Sequence, residues 1–87
     1  MRYAQPFQVL LNMIAAAEDL PEKAIEYNLK ALELDPRNVD AWHNMGLTYL
    51  LTERPQEAIR CFEKALSLED REDTRRFLQE AYEKATD

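Results

Sequence analysis

Apolar residues recur along this chain at intervals of three and four, the period of a helix buried on one side, and no stretch alternates residue by residue as a strand would. The run from Pro21 to Leu34 places Ala24, Tyr27, Ala31 and Leu34 on one face, with Ile25, Asn28 and Leu32 beside them. Pro21 stands where a first-turn proline is tolerated, because its missing N–H has no helical partner there. Asp35-Pro36 closes the run, since the ring disfavours helical geometry in the residue before it. Further helices are predicted from about Asp40 to Leu51, from Pro55 to about Leu68, and from about 74 to 85 after an acidic turn at 69–73. An opening helix is predicted from near Pro6 to near Ala17. The expectation is an all-α chain of five helices.

The pattern also repeats. A shift of 34 residues superposes Pro21 on Pro55, Ala24 on Ala58, Ile25 on Ile59 and Lys30 on Lys64. It also superposes Ala31 on Ala65, Leu32 on Leu66 and Leu34 on Leu68, so seven of fourteen positions agree without a gap. That period belongs to a helix–turn–helix unit that buries its apolar face by stacking on the next copy. Within the second copy Gly46 and Ala58 are small residues on facing helices, where they allow the two backbones to approach. Trp42, Tyr49 and Phe62 are expected to fill the space on either side, as large and small side chains interdigitate to interior density.

The segment Trp42-His43-Asn44-Met45-Gly46-Leu47-Thr48-Tyr49 follows the pattern W-x2-L-G-x2-Y, with Met45 in place of leucine, and Ala58, Phe62 and Ala65 continue it. On these residues the chain resembles the tetratricopeptide repeat family. Asp70 departs from the family's final proline, and in the first copy Gln8, Asn12, Ala15 and Asn28 stand where Trp, Gly, Tyr and an aromatic residue are usual. The resemblance implies antiparallel helix hairpins stacked as a short right-handed α-solenoid. It also implies one domain over 1–87: repeat one at about 5–38, repeat two at about 39–72 and a capping helix at about 73–85.

In that family the first helix of each repeat lines a concave face and receives protein partners. Here helical geometry puts Asp40, His43, Leu47, Leu50 and Leu51 opposite Trp42, Met45 and Tyr49. The 34-residue shift adds Val9 and Met13, with Pro6, Ala16 and Ala17, from the first copy. The resulting trough is apolar with one polar end at Asp40 and His43. Two readings stand: it receives an amphipathic helix or extended peptide, or the chain's own last helix covers part of it. The lysine, arginine and asparagine side chains with which some family members clamp a peptide carboxylate are missing, so hydrophobic contact is the expected mode.

Two further surfaces are legible. The opening helix is apolar nearly all round, and Phe7, Leu10 and Ile14 point to where a preceding repeat would lie. A symmetric dimer, an element of a longer or engineered array, or a shift in helix register would each account for that face. The last helix carries Phe77, Leu78, Ala81, Tyr82 and Ala85 on one side and charges on the other, as a cap does.

Composition narrows the function. At 87 residues the chain is one domain with a small core. Seventeen acidic against eleven basic residues give −6, which argues against nucleic acid and anionic membranes as partners. The lone Cys61 suits a reducing compartment, and the absence of a signal-peptide core or a long apolar run points to a soluble, cytoplasmic chain without membrane insertion. His43 lacks companions for a metal site, one glycine cannot build a phosphate loop, and Cys61 has no base beside it. No catalytic residue, metal or cofactor is expected. The leading reading is a protein-binding scaffold using Val9, Met13, Asp40, His43, Leu47, Leu50 and Leu51. The alternative is a homo-oligomer formed through Phe7, Leu10 and Ile14.

Overall fold

The computed structural model describes residues 21–86, in which four helices follow one another: α1 (Pro21–Leu34), α2 (Val39–Leu51), α3 (Pro55–Leu68) and α4 (Glu72–Ala85). No strand occurs among the described residues. The helix expected between Pro6 and Ala17 lies outside them. Connections of three or four residues force each helix to run antiparallel to the next. Helix α2 packs against α1 and α3, α3 packs against α4, and a lighter contact joins α2 to α4.

Helix α1 begins at Pro21 as the proline predicts, but its buried stripe is Ala24, Asn28 and Ala31. Leu34, expected on that stripe, is 83% exposed. Ten residues at helical pitch carry Leu34 about 80° around the axis from Ala24, enough to turn it out to solvent. Asn28 takes the central place instead, its side-chain amide donating to the carbonyl of Ala24 at 2.9 Å.

Helix α2 has firmly built ends. The Asn38 side chain accepts from the N–H of Ala41 at 3.1 Å, which starts the helix at Val39, one residue before the predicted position. The Trp42 indole N–H donates to the Pro36 carbonyl at 3.0 Å and ties the helix to the preceding turn. At the other end Glu53 adopts φ 63°, while Arg54 N–H bonds to the Tyr49 carbonyl at 2.8 Å and Glu53 N–H to that of Leu50 at 3.4 Å. This crossed pair is a Schellman termination, here without the glycine that usually occupies the left-handed position.

Helix α3 starts at Pro55 and ends at Leu68, as the repeat predicts. Helix α4 starts at Glu72, so two of the acids assigned to the preceding turn form its first turn, where carboxylates complement the helix dipole. The core between the helices comprises Leu50, Ala58, Phe62 and Ala81, flanked by Leu47, Tyr49, Ile59, Phe77 and Leu78. Phe62 is fully buried, whereas Trp42 and Tyr49 are only half-buried. The Phe62 ring lies directly over Gly46: a Cβ at that position would stand 2.5 to 2.8 Å from three of its carbons. The glycine's nearest neighbour across the interface is therefore the large ring, where the sequence pointed to the small Ala58.

Candidate functional site

The five predicted trough residues of α2 separate into two groups. Asp40, His43 and Leu50 are engaged by the rest of the fold, while Leu47 is half-buried at the edge of the core and Leu51 points outward. Val9 and Met13, and the self-association face of Phe7, Leu10 and Ile14, lie outside the described residues.

His43, expected to line the groove, is 8% exposed. Helix α4 covers it. Its Nδ1 lies 2.8 Å from the hydroxyl of Thr74, itself fully buried, and its Nε2 lies 3.9 Å from the Asp73 carboxylate. The imidazole meets Phe62 and Phe77 edge-on, each with ring centroids 5.7 Å away, and the two phenyl rings stack at 6.1 Å. Burial lowers the His43 pKa from its ordinary value; the Asp73 carboxylate opposes that shift, Arg71 adds to it, and Asp40 opposes it. A buried imidazole with its hydrogen bond satisfied by a threonine is a packing residue of the α2–α4 junction.

Asp40 is also taken. Arg71, in the turn before α4, reaches its carboxylate at 2.7 Å and that of Glu69 at 3.1 Å. Leu50, assigned to the trough, is 4% exposed and belongs to the core with Phe62 and Ala81. The causes differ: Thr74 and Phe77 of α4 cover His43, Arg71 of the turn before α4 holds Asp40, and Leu50 near the C-terminal end of α2 packs into the core with Ala58, Phe62 and Ala81. His43 and Leu50 are thus buried, whereas the Asp40 side chain stays partly exposed beside Arg71. What remains open is the C-terminal end of α2, where Leu47 is half-buried and Leu51, one turn on, is 74% exposed.

Thr74, Arg71 and Phe77 escaped the sequence reading as partners of this surface. Their signal was present: Thr74 and Phe77 are uncharged residues three apart in the charge-rich opening of α4, a short stripe facing something buried. Among the described residues no three potential ligands converge on a metal site, and no helix is long and apolar enough to cross a membrane. The Cys61 thiol is buried and pushed up to about 11 by that burial, which keeps it protonated and unreactive.

The hairpin α2–α3, with Gly46 under Phe62 and Ala58 and Ala65 buried along α3, falls within residues 39–71, which match the tetratricopeptide repeat family. The chain carries a tetratricopeptide repeat. Similar sequence occurs in proteins of very different size. An uncharacterised protein of Methanocaldococcus jannaschii is 46% identical over 48 residues, 55% of this chain and 56% of that protein. A protein O-mannosyl-transferase of Homo sapiens is 45% identical over 49 residues, covering 55% of this chain but 5% of the enzyme. A UDP-N-acetylglucosamine–peptide N-acetylglucosaminyltransferase of Giardia intestinalis is 34% identical over 67 residues, 77% of this chain and 4% of the enzyme. The chain thus spans about half the length of the first relative and a small fraction of the other two. The likeness to the tetratricopeptide repeat explains Gly46 and Phe62 as a packing pair and assigns neither a chemical role.

Proposed function

We propose that this chain is a protein-binding module that receives an apolar side chain of a helix or extended peptide at the open end of its concave face. Tetratricopeptide repeats mediate contacts between proteins, and the observation that supports this surface is the exposure of Leu51 beside half-buried Leu47, four residues apart on α2. Four residues is one helical turn, so the two side chains form a continuous apolar strip. In sequence, the 34-residue repeat makes Val9 and Met13 the counterparts of His43 and Leu47. Asp40 stands at the far end, with its charge already held by Arg71, and the binding is hydrophobic in character.

The test is a selection of peptides from a random display library on the intact protein, followed by measurement of the winners on Leu47→Glu/Leu51→Glu. Loss of roughly tenfold or more in affinity supports the reading, since charges in a small hydrophobic contact cost on the order of 1.4 kcal/mol or more. Unchanged affinity overturns it. Sedimentation of the same preparations addresses the homo-oligomer: a dimer abolished by Phe7→Glu and untouched by the α2 substitutions would assign association to the opening segment instead.

A further inference from the structure

The side of the hairpin facing away from Leu47 and Leu51 carries a second surface. Trp42, Met45 and Tyr49 of α2, with Cys61 of α3, form the floor of an open cavity of about 520 Å3, and Glu57, Arg60 and Lys64 of α3 line it as well. That volume lies in the range of sites that hold a small ligand or a few side chains. The floor offers little polarity. The Trp42 N–H is spent on the Pro36 carbonyl, and the thiol of Cys61 is protonated.

The rim is electrostatically one-sided. Arg54 grips the Glu57 carboxylate through Nε at 3.3 Å and Nη2 at 2.5 Å, neutralising the one acid in the lining among the described residues. Arg60 and Lys64 stand one turn apart on α3, both exposed, and no acidic side chain pairs with either among the described residues. Two free cations thus flank an apolar floor on a protein whose overall charge is −6. Guanidinium and ammonium groups at such an edge attract carboxylates and fix the register of a chain whose apolar side chain sits between them.

We propose that this groove binds an acidic peptide segment, with an aromatic or aliphatic side chain on Trp42, Met45 and Tyr49 and flanking carboxylates on Arg60 and Lys64. The site is separate from the concave strip, so either stands without the other. Trp42 is the protein's single tryptophan, and its fluorescence reads occupancy of the groove directly.

The experiment titrates acetyl-Glu-Asp-Phe-Asp-Glu-amide into the intact chain while following Trp42 emission. A saturable spectral shift is expected, weakened about fivefold or more as salt rises from about 50 to 500 mM. A peptide with lysine replacing every acid gives no comparable shift. Arg60→Glu/Lys64→Glu weakens the acidic peptide about tenfold or more and improves the basic one. No saturable shift at about 1 mM acidic peptide, equal response to both peptides, or salt-independent binding overturns the proposal, and these arms need no variant. Emission that changes with protein concentration alone, alongside a dimer mass, overturns it too by placing a second copy in the groove.

Discussion

The Nδ1 of His43 and the hydroxyl of Thr74 meet at 2.8 Å across the junction of α2 and α4, and both residues are buried. This contact joins two helices that are not consecutive in the chain. It makes α4 an integral cover of the hairpin, since its replacement by water would require opening the packing of Phe62 on Phe77. Thr74→Val keeps the shape but leaves the imidazole nitrogen unpaired in a buried place, at a cost of about 1–3 kcal/mol. Thr74→Ser retains the hydroxyl and should cost less. Urea denaturation of the three proteins checks the order.

The same contact gives stability a pH dependence with a definite sign. Burial lowers the His43 pKa below its unfolded value of 6.5, so the unfolded chain binds the proton more readily. The contribution is complete above about 6.5 and is lost as pH falls from there towards the lowered folded value, with a slope of up to about 1.4 kcal/mol per pH unit. Denaturation midpoints should therefore fall between about pH 7.5 and 5.5 in the wild type. The double variant His43→Phe/Thr74→Val, which has no imidazole, should show a distinctly smaller fall. Parallel pH curves for the two proteins would contradict this assignment.

Gly46 is required by a ring. A methyl group there would overlap Phe62, which is fully buried and held between His43 and Phe77. Gly46→Ala gains about 1 kcal/mol in helix propensity but meets an overpacking cost of about 1–3 kcal/mol, so net destabilisation is expected. Gly46→Leu should separate α2 from α3 altogether. The informative companion is Phe62→Leu: in that background Gly46→Ala should become neutral or stabilising, a coupling that thermal melts of the four proteins would reveal.

Glu53 presents the opposite case, a side chain where glycine fits better. Its φ of 63° lies in the left-handed region, and the Schellman bonds around it keep it there. Glu53→Gly removes a steric cost of about 1 kcal/mol and should raise the urea midpoint without changing the slope. Glu53→Val should lower it.

These contacts show what the linear pattern carries and what it does not. Pro21, Pro55 and the 34-residue shift were enough to place α1 and α3, because a first-turn proline and a repeated apolar stripe are local signals. The glycine was legible as a point of close approach, but its partner was not, since Ala58 and Phe62 both face inward from α3. The groove was harder still. Residues 40, 43, 47, 50 and 51 share a helix face whether they line a trough or lie under a neighbour, and only the course of α4 decides between the two. Its stripe is out of step with the 34-residue repeat, so the shift that predicted α3 gave no guide to what α4 covers. Leu34 failed for a simpler reason: spacings of three, four and three add up to ten residues, which carries it about 80° around the helix from Ala24 and off the buried side.

The most direct test of the binding account is a backbone amide spectrum of the 15N-labelled protein, recorded with and without a display-selected peptide. The account predicts perturbations centred on Leu47 and Leu51 at the open end of α2, with His43 and Leu50 shifted little because α4 already covers them. Perturbations confined to other surfaces, with Leu47 and Leu51 unmoved at saturating peptide, would contradict it.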